Sequence, residues 1–108
     1  MGIRISYLNP IAVSEDALSF YRSVRTLKLP THLREQLQRA ASSVALNLAE
    51  GAGRATRADQ NRFFSIALGS LRESQAILDL ADISDSSPAT EADVLGAHIY
   101  RLIQSKGR

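Results

Sequence analysis

The chain has 108 residues, thirteen basic and eleven acidic side chains, a net charge of +2 and no cysteine. This length supports one domain around a single core. The missing cysteines exclude disulfides and thiolate zinc sites and fit a reducing, cytoplasmic setting. No apolar run approaches the ~20 residues needed to span a bilayer, and residues 1–7 lack the apolar core of a signal peptide, so no membrane partner is expected. The small net charge gives no argument for nucleic acid. Its distribution is uneven, however: residues 1–62 hold nine Arg/Lys against five Asp/Glu, and residues 63–108 hold four against six. Eleven of the thirteen basic residues are Arg, whose planar fork suits carboxylates and phosphates.

Residues 2–8 alternate Ile3, Ile5 and Tyr7, which reads as an extended arm. A first helix is expected over about 10–28. Its start is either Asn9 capping with Pro10 at the first position, or Ser14 followed by Glu15-Asp16. Ile11, Leu18, Tyr21 and Val24 would share its buried face, and Leu29-Pro30 would end it, because the residue before proline avoids the α region. The second helix, about 31–50, places Leu33, Leu37, Ala40, Ala41, Val44 and Leu48 on one arc, with Gly51 as the left-handed residue just beyond its end.

The third helix, about 56–83, opens with a capping box in which Thr56 caps and Asp59 reaches back. It has two apolar faces: Phe64, Ala67, Leu68, Leu71 and Leu78 on one, and Phe63, Ile66, Ile77, Leu80 and Ala81 on the other. A helix apolar on two sides must be covered on both, and one bundle core covers one of them. The fourth helix, about 88–106, starts at Ser87-Pro88 or at the capping box Thr90-Glu91-Ala92-Asp93, and buries Leu95, Ile99, Leu102 and Ile103. Short connections make consecutive helices antiparallel neighbours. The expected fold is therefore an all-α, antiparallel up-down-up-down four-helix bundle, one domain over 1–108.

On the second helix Gln36, Arg39, Ser43, Asn47 and Glu50 fall within an arc of about 80°. Ser43 and Asn47 are poor helix formers that a plain solvated face has no need of. The stripe reads either as such a face or as a hydrogen-bonded seam between helices or subunits. Glu73 lies among Ile66, Ile77 and Leu80 and needs a partner if buried; Arg39 is the first choice and Arg62 the second. Gly69, one turn before Glu73, points to close approach of another backbone. The cluster Arg54, Arg57 and Arg62 at the start of the third helix gives candidate nucleic-acid contacts after a short glycine-containing turn.

Catalytic readings fare poorly. His32 and His98 lack the Glu-x-x-His spacing of di-iron bundles. Gly51-Ala52-Gly53-Arg54 matches no phosphate-binding or dinucleotide fingerprint. No catalytic residue, metal ligand, cofactor or small-molecule substrate is assigned. A carboxylate pair such as Glu50 and Glu73 is the weaker, enzymatic alternative.

The segment running from Gln36-Leu37-Gln38-Arg39-Ala40 through Ser43-Val44 to Asn47-Leu48-Ala49-Glu50-Gly51 and Arg54 resembles the "four helix bundle protein" family. These are the 23S ribosomal RNA intervening-sequence proteins, related to the accessory variability proteins of diversity-generating retroelements. Phe64, Ile66-Ala67, Gly69-Ser70-Leu71 and Glu73 match as well, as does Leu29-Pro30, so the similarity covers about residues 29–81. The resemblance implies a ring-shaped homo-oligomer, commonly a homopentamer, without enzymatic activity. Its retroelement-linked relatives bind nucleic acid and a reverse transcriptase through a basic surface. It carries over Gln36, Arg39, Ser43, Asn47, Glu50, Gly51, Arg54, Gly69, Ser70 and Glu73, which favours the seam reading. The sequence thus leads to a non-catalytic, self-assembling scaffold or adaptor whose partner is itself. The expected polar seam is Gln36, Arg39, Ser43, Asn47, Glu50 and Glu73, and the expected interface is Phe63, Ile66, Gly69, Ser70 and Ile77. A nucleic-acid-binding accessory protein is the alternative.

Overall fold

The computed structural model describes residues 9–105; the arm expected over residues 2–8 lies outside them. Among the described residues there are four helices and no strand: α1 (Pro10–Arg25), α2 (Thr31–Ala52), α3 (Arg57–Leu80) and α4 (Ser87–Gln104).

Local chemistry sets each boundary. Asn9 caps α1, its side chain accepting from the Ile11 N–H at 3.0 Å, with Pro10 at the first position. The helix stops three residues earlier than expected, where the Thr26 hydroxyl donates to the Ser23 carbonyl and competes with a further helical turn. Thr56 caps α3 by accepting from the Asp59 N–H, but the reciprocal half of the box is not made; the Asp59 carboxylate faces Arg62 at 3.5 Å. The α3 end is a Schellman closure, with Ile83 N–H donating to Leu78 O and Asp82 N–H to Asp79 O. Its left-handed residue is Asp82, φ 61°, one of the few residue types besides glycine that tolerate that region. Ser86, rather than Thr90, caps α4.

Gly51 departs from expectation. It lies inside α2 and is buried, and Gly53 ends that helix in a right-handed conformation, φ −89°. The reason for glycine is packing: a Cβ at Gly51 would sit 2.6 Å from Cε1 of the Phe64 ring. That aromatic ring takes the space where α3 crosses α2.

Each helix packs on its neighbours in the chain, and α4 returns to pack on α1; the backbones of the diagonal pairs, α1 with α3 and α2 with α4, nowhere come within 8 Å Cα to Cα. The core contains Leu37, Val44 and Leu48 from α2, Phe64, Leu71 and Leu78 from α3, and Leu95, Ile99 and Leu102 from α4. From α1 it takes Val13, Ala17, Phe20 and Val24. Of the α1 face expected from sequence, Val24 is buried and Tyr21 packs half-buried against the core, whereas Ile11 and Leu18 are 64% and 41% exposed. The helix has two apolar stripes, and the one carrying Phe20 wins because burying a Phe side chain is worth about 1.5–3 kcal/mol. Ser74 is fully buried, and its hydroxyl donates to the Ser70 carbonyl at 3.0 Å, so it leaves no unsatisfied polar group.

Candidate functional site

The α2/α3 pair carries most of the residues singled out from the sequence. At its centre is a small polar cluster. Ser43 and Ser70 hydroxyls meet across the helices at 2.8 Å. Asn47 Nδ2 donates to the Ser43 carbonyl at 2.9 Å and to Ser43 Oγ at 3.1 Å. Ser43 Oγ keeps a second lone pair after accepting from Asn47, so either hydroxyl can donate in the Ser43–Ser70 contact. Poor helix formers stand here because their short polar side chains join two backbones.

The rest of the expected seam is not buried within the chain. Gln36, Arg39, Glu50 and Glu73 are all exposed. Arg39 and Glu73, expected to pair between α2 and α3, form no ion pair. Both project into water, where holding two long side chains together returns little. Arg62, the second choice for Glu73, faces Asp59 instead. The alternative of a buried carboxylate pair at Glu50 and Glu73 is likewise corrected by their exposure.

The three arginines considered for nucleic acid are engaged within the chain. Arg57 donates to the carbonyls of Leu102, at 3.0 Å, and Ser105, and Asn61 Nδ2 reaches the Ile103 carbonyl at 3.5 Å. These carbonyls lie at the α4 C-terminus, where no helical partner remains and the helix dipole is negative. Arg57 is therefore a cap for α4. The Arg54 guanidinium bonds Glu50 at 2.7 Å. Arg54 and Arg62 stack over the Phe63 ring at 4.7 and 4.5 Å from its centroid.

Of the five interface candidates, Ile77 is withdrawn, being 3% exposed in the core. Phe63 and Ser70 are half-buried, Phe63 beneath two guanidinium groups. Ile66 is 44% exposed. Gly69 faces outward, and a Cβ there would meet no atom within 4 Å, so the close approach it signalled is not made inside the chain. Sequence reasoning missed Leu46, which projects outward from α2 at 68% exposure. The available signal was an isolated leucine opposite the apolar arc. Together Ile66, Gly69, Glu73, Ala76 and Leu80 form an outward stripe on α3 at alternating spacings of four and three residues, all exposed.

The larger surface grooves suggest no chemistry of this kind. One of about 330 Å³ between α1 and α4 is lined by Asp16, Ser19, Ser87, Thr90, Glu91 and Val94. Among the described residues no group of three or more His, Cys, Asp or Glu is placed to hold a metal ion, and no helix is long and apolar enough to cross a membrane.

Four helices around one core, a serine–asparagine cluster between the second and third, and an outward stripe left uncovered on the third define an all-α helical-bundle class. Within it, residues 12–105 match the family model of the 23S rRNA-intervening sequence proteins, and the chain belongs to that family. No curated protein and no solved structure matches it.

Proposed function

We propose that the chain is a non-catalytic scaffold or adaptor that assembles with copies of itself into a closed ring, with five subunits as the size its family resemblance suggests, and that it works in the cytoplasm. The observation that carries this reading is the outward stripe of α3. Ile66 and Leu80 are 44% and 70% exposed, and Leu46 on α2 adds a third large apolar side chain to the outside of the helix pair. Apolar patches of this kind on soluble proteins mark association surfaces. A cyclic arrangement covers them without leaving an open end.

The protomer in this reading is an up-down-up-down bundle. Supporting pairings are Gly51, late in α2, with Phe64, early in α3, and, between α3 and α4, the early Arg57 with the late Leu102 and the later Gln75 with the earlier Asp93.

Multi-angle light scattering at micromolar concentration tests the proposal. A mass several times 11.8 kDa is expected, and Ile66→Glu is expected to lower it. A single species at 11.8 kDa overturns it. Nucleic-acid binding is the second reading, favoured by Arg22, Arg25 and Lys28, which are exposed at the α1 C-terminal end and have no ion pair among the described residues.

A further inference from the structure

We propose that the outward stripe of α3 docks on the outward stripe of α1 in a second copy of this chain, giving a directional, head-to-tail contact. The inference rests on the self-assembly reading above and says which surface meets which.

Two unpartnered helix faces carry it. On α3 the stripe is Ile66, Gly69, Glu73, Ala76 and Leu80; on α1 it is Ile11, Glu15, Leu18, Arg22 and Arg25, and all ten residues are exposed. Each spans fifteen residues at alternating spacings of three and four, the repeat with which one helix keeps a straight seam against another. Each presents two large apolar side chains: Ile66 and Leu80 at 44% and 70% exposure, Ile11 and Leu18 at 64% and 41%. Gly69, with open space where a Cβ would be, lets a neighbouring helix come close.

The charges make the two faces complementary. The α1 stripe ends in Arg22 and Arg25. The α3 stripe carries Glu73 and runs into Asp79 and Asp82, both exposed. Among the described residues none of these five side chains has an ion-pair partner. With Ile11 set beside Ile66 and the helices parallel, Arg22 and Arg25 lie level with the segment from Glu73 to Asp82.

The stripes cannot meet in one chain, because both face outward from diagonal corners of the bundle. A contact between two different surfaces of identical chains is heterologous and continues from copy to copy until it closes. A second α3 would bring another Glu73 and Asp79 to this acidic segment, whereas α1 brings Arg22 and Arg25.

The test uses two charge-reversed forms of the full chain, Arg22→Glu with Arg25→Glu and Glu73→Lys with Asp79→Lys. The readouts are light scattering, and circular dichroism to confirm helicity. All four positions are exposed, so both forms are expected to fold. Each alone is expected to fall from the parent mass to 11.8 kDa. An equimolar mixture is expected to regain a several-fold higher mass, because each reversed stripe then finds a reversed partner. The pairing is overturned if the α1 form keeps the parent mass while Ile66→Glu loses it; self-assembly then stands with a different counterpart for α3. It is also overturned if the folded mixture stays at 11.8 kDa. If the α1 form keeps its mass but loses retention of a short RNA, Arg22 and Arg25 belong to a nucleic-acid surface and the pairing falls. A parent already at 11.8 kDa overturns this pairing together with the self-assembly reading.

Discussion

Two residues show how a single atom position fixes this bundle. Gly51 leaves room for the Phe64 ring, and a Cβ there would lie 2.6 Å from the ring edge and 3.1 Å from the Gln60 carbonyl oxygen. Neither neighbour is the free end of a flexible side chain, so Gly51→Ala is expected to cost about 1–3 kcal/mol through overpacking, read as a lower urea midpoint with an unchanged slope. An unchanged midpoint would mean that α2 and α3 separate without cost. Arg57 ties the start of α3 to the end of α4 through the Leu102 and Ser105 carbonyls. Arg57→Met keeps the aliphatic stem and removes the charged donor, and should destabilise by about 1.5–3 kcal/mol. Faster amide exchange near the end of α4 should accompany it; equal exchange would show that the cap is dispensable. The polar cluster of Ser43, Asn47 and Ser70 was readable only as a stripe of residue types. Which of its members turn inward depended on the partner helix.

At the scale of the element, α3 holds the contrast between intrinsic and packed stability. Its cap, Thr56 accepting from Asp59 N–H at 3.1 Å, was legible from the spacing of Thr and Asp, and Thr56→Ala should cost about 1 kcal/mol in thermal unfolding. Gly69 is the opposite case. It weakens the helix by about 1 kcal/mol relative to Ala, and within the chain nothing occupies the space beside it. Gly69→Ala is therefore expected to raise the stability of the dissociated chain by roughly that amount, measured by denaturation at high dilution. A loss of stability under those conditions would show that the chain itself uses the gap. The α1 face was misread in part. Ile11 and Leu18 are the larger side chains near the start of α1, but Glu15, Arg22 and Arg25 interrupt their stripe, whereas Val13, Ala17, Phe20 and Val24 keep an unbroken apolar spacing of four and three.

For the whole molecule, the low net charge conceals a separation of charge. Arg22, Arg25 and Lys28 gather at the end of α1, whereas Asp79 in the last turn of α3 is followed by Asp82 and Asp85 in the connection to α4. If copies associate through such opposed surfaces, the mass in solution should fall as salt is raised from about 0.05 to 0.5 M, because exposed charge pairs are screened over about a Debye length. A mass independent of salt would place the association wholly on apolar contacts. Retention of a short RNA at low salt, lost steeply as salt rises, is the expected signature if the basic end binds nucleic acid instead. No retention at low salt would remove that reading.

Local sequence was enough for four helices, the starts of α2 and α3, two alternatives each for the starts of α1 and α4, the core faces of α2 and α4 and the family. These follow from local information: caps, prolines and apolar period act within a turn or two of where they are written. Tertiary structure decided which stripe of α1 and α3 went inward, that Arg57 caps α4, that Gly51 yields to Phe64, and that Arg39 and Glu73 stay apart. Each of these depends on a neighbour far along the chain, whose distance and angle no periodicity records.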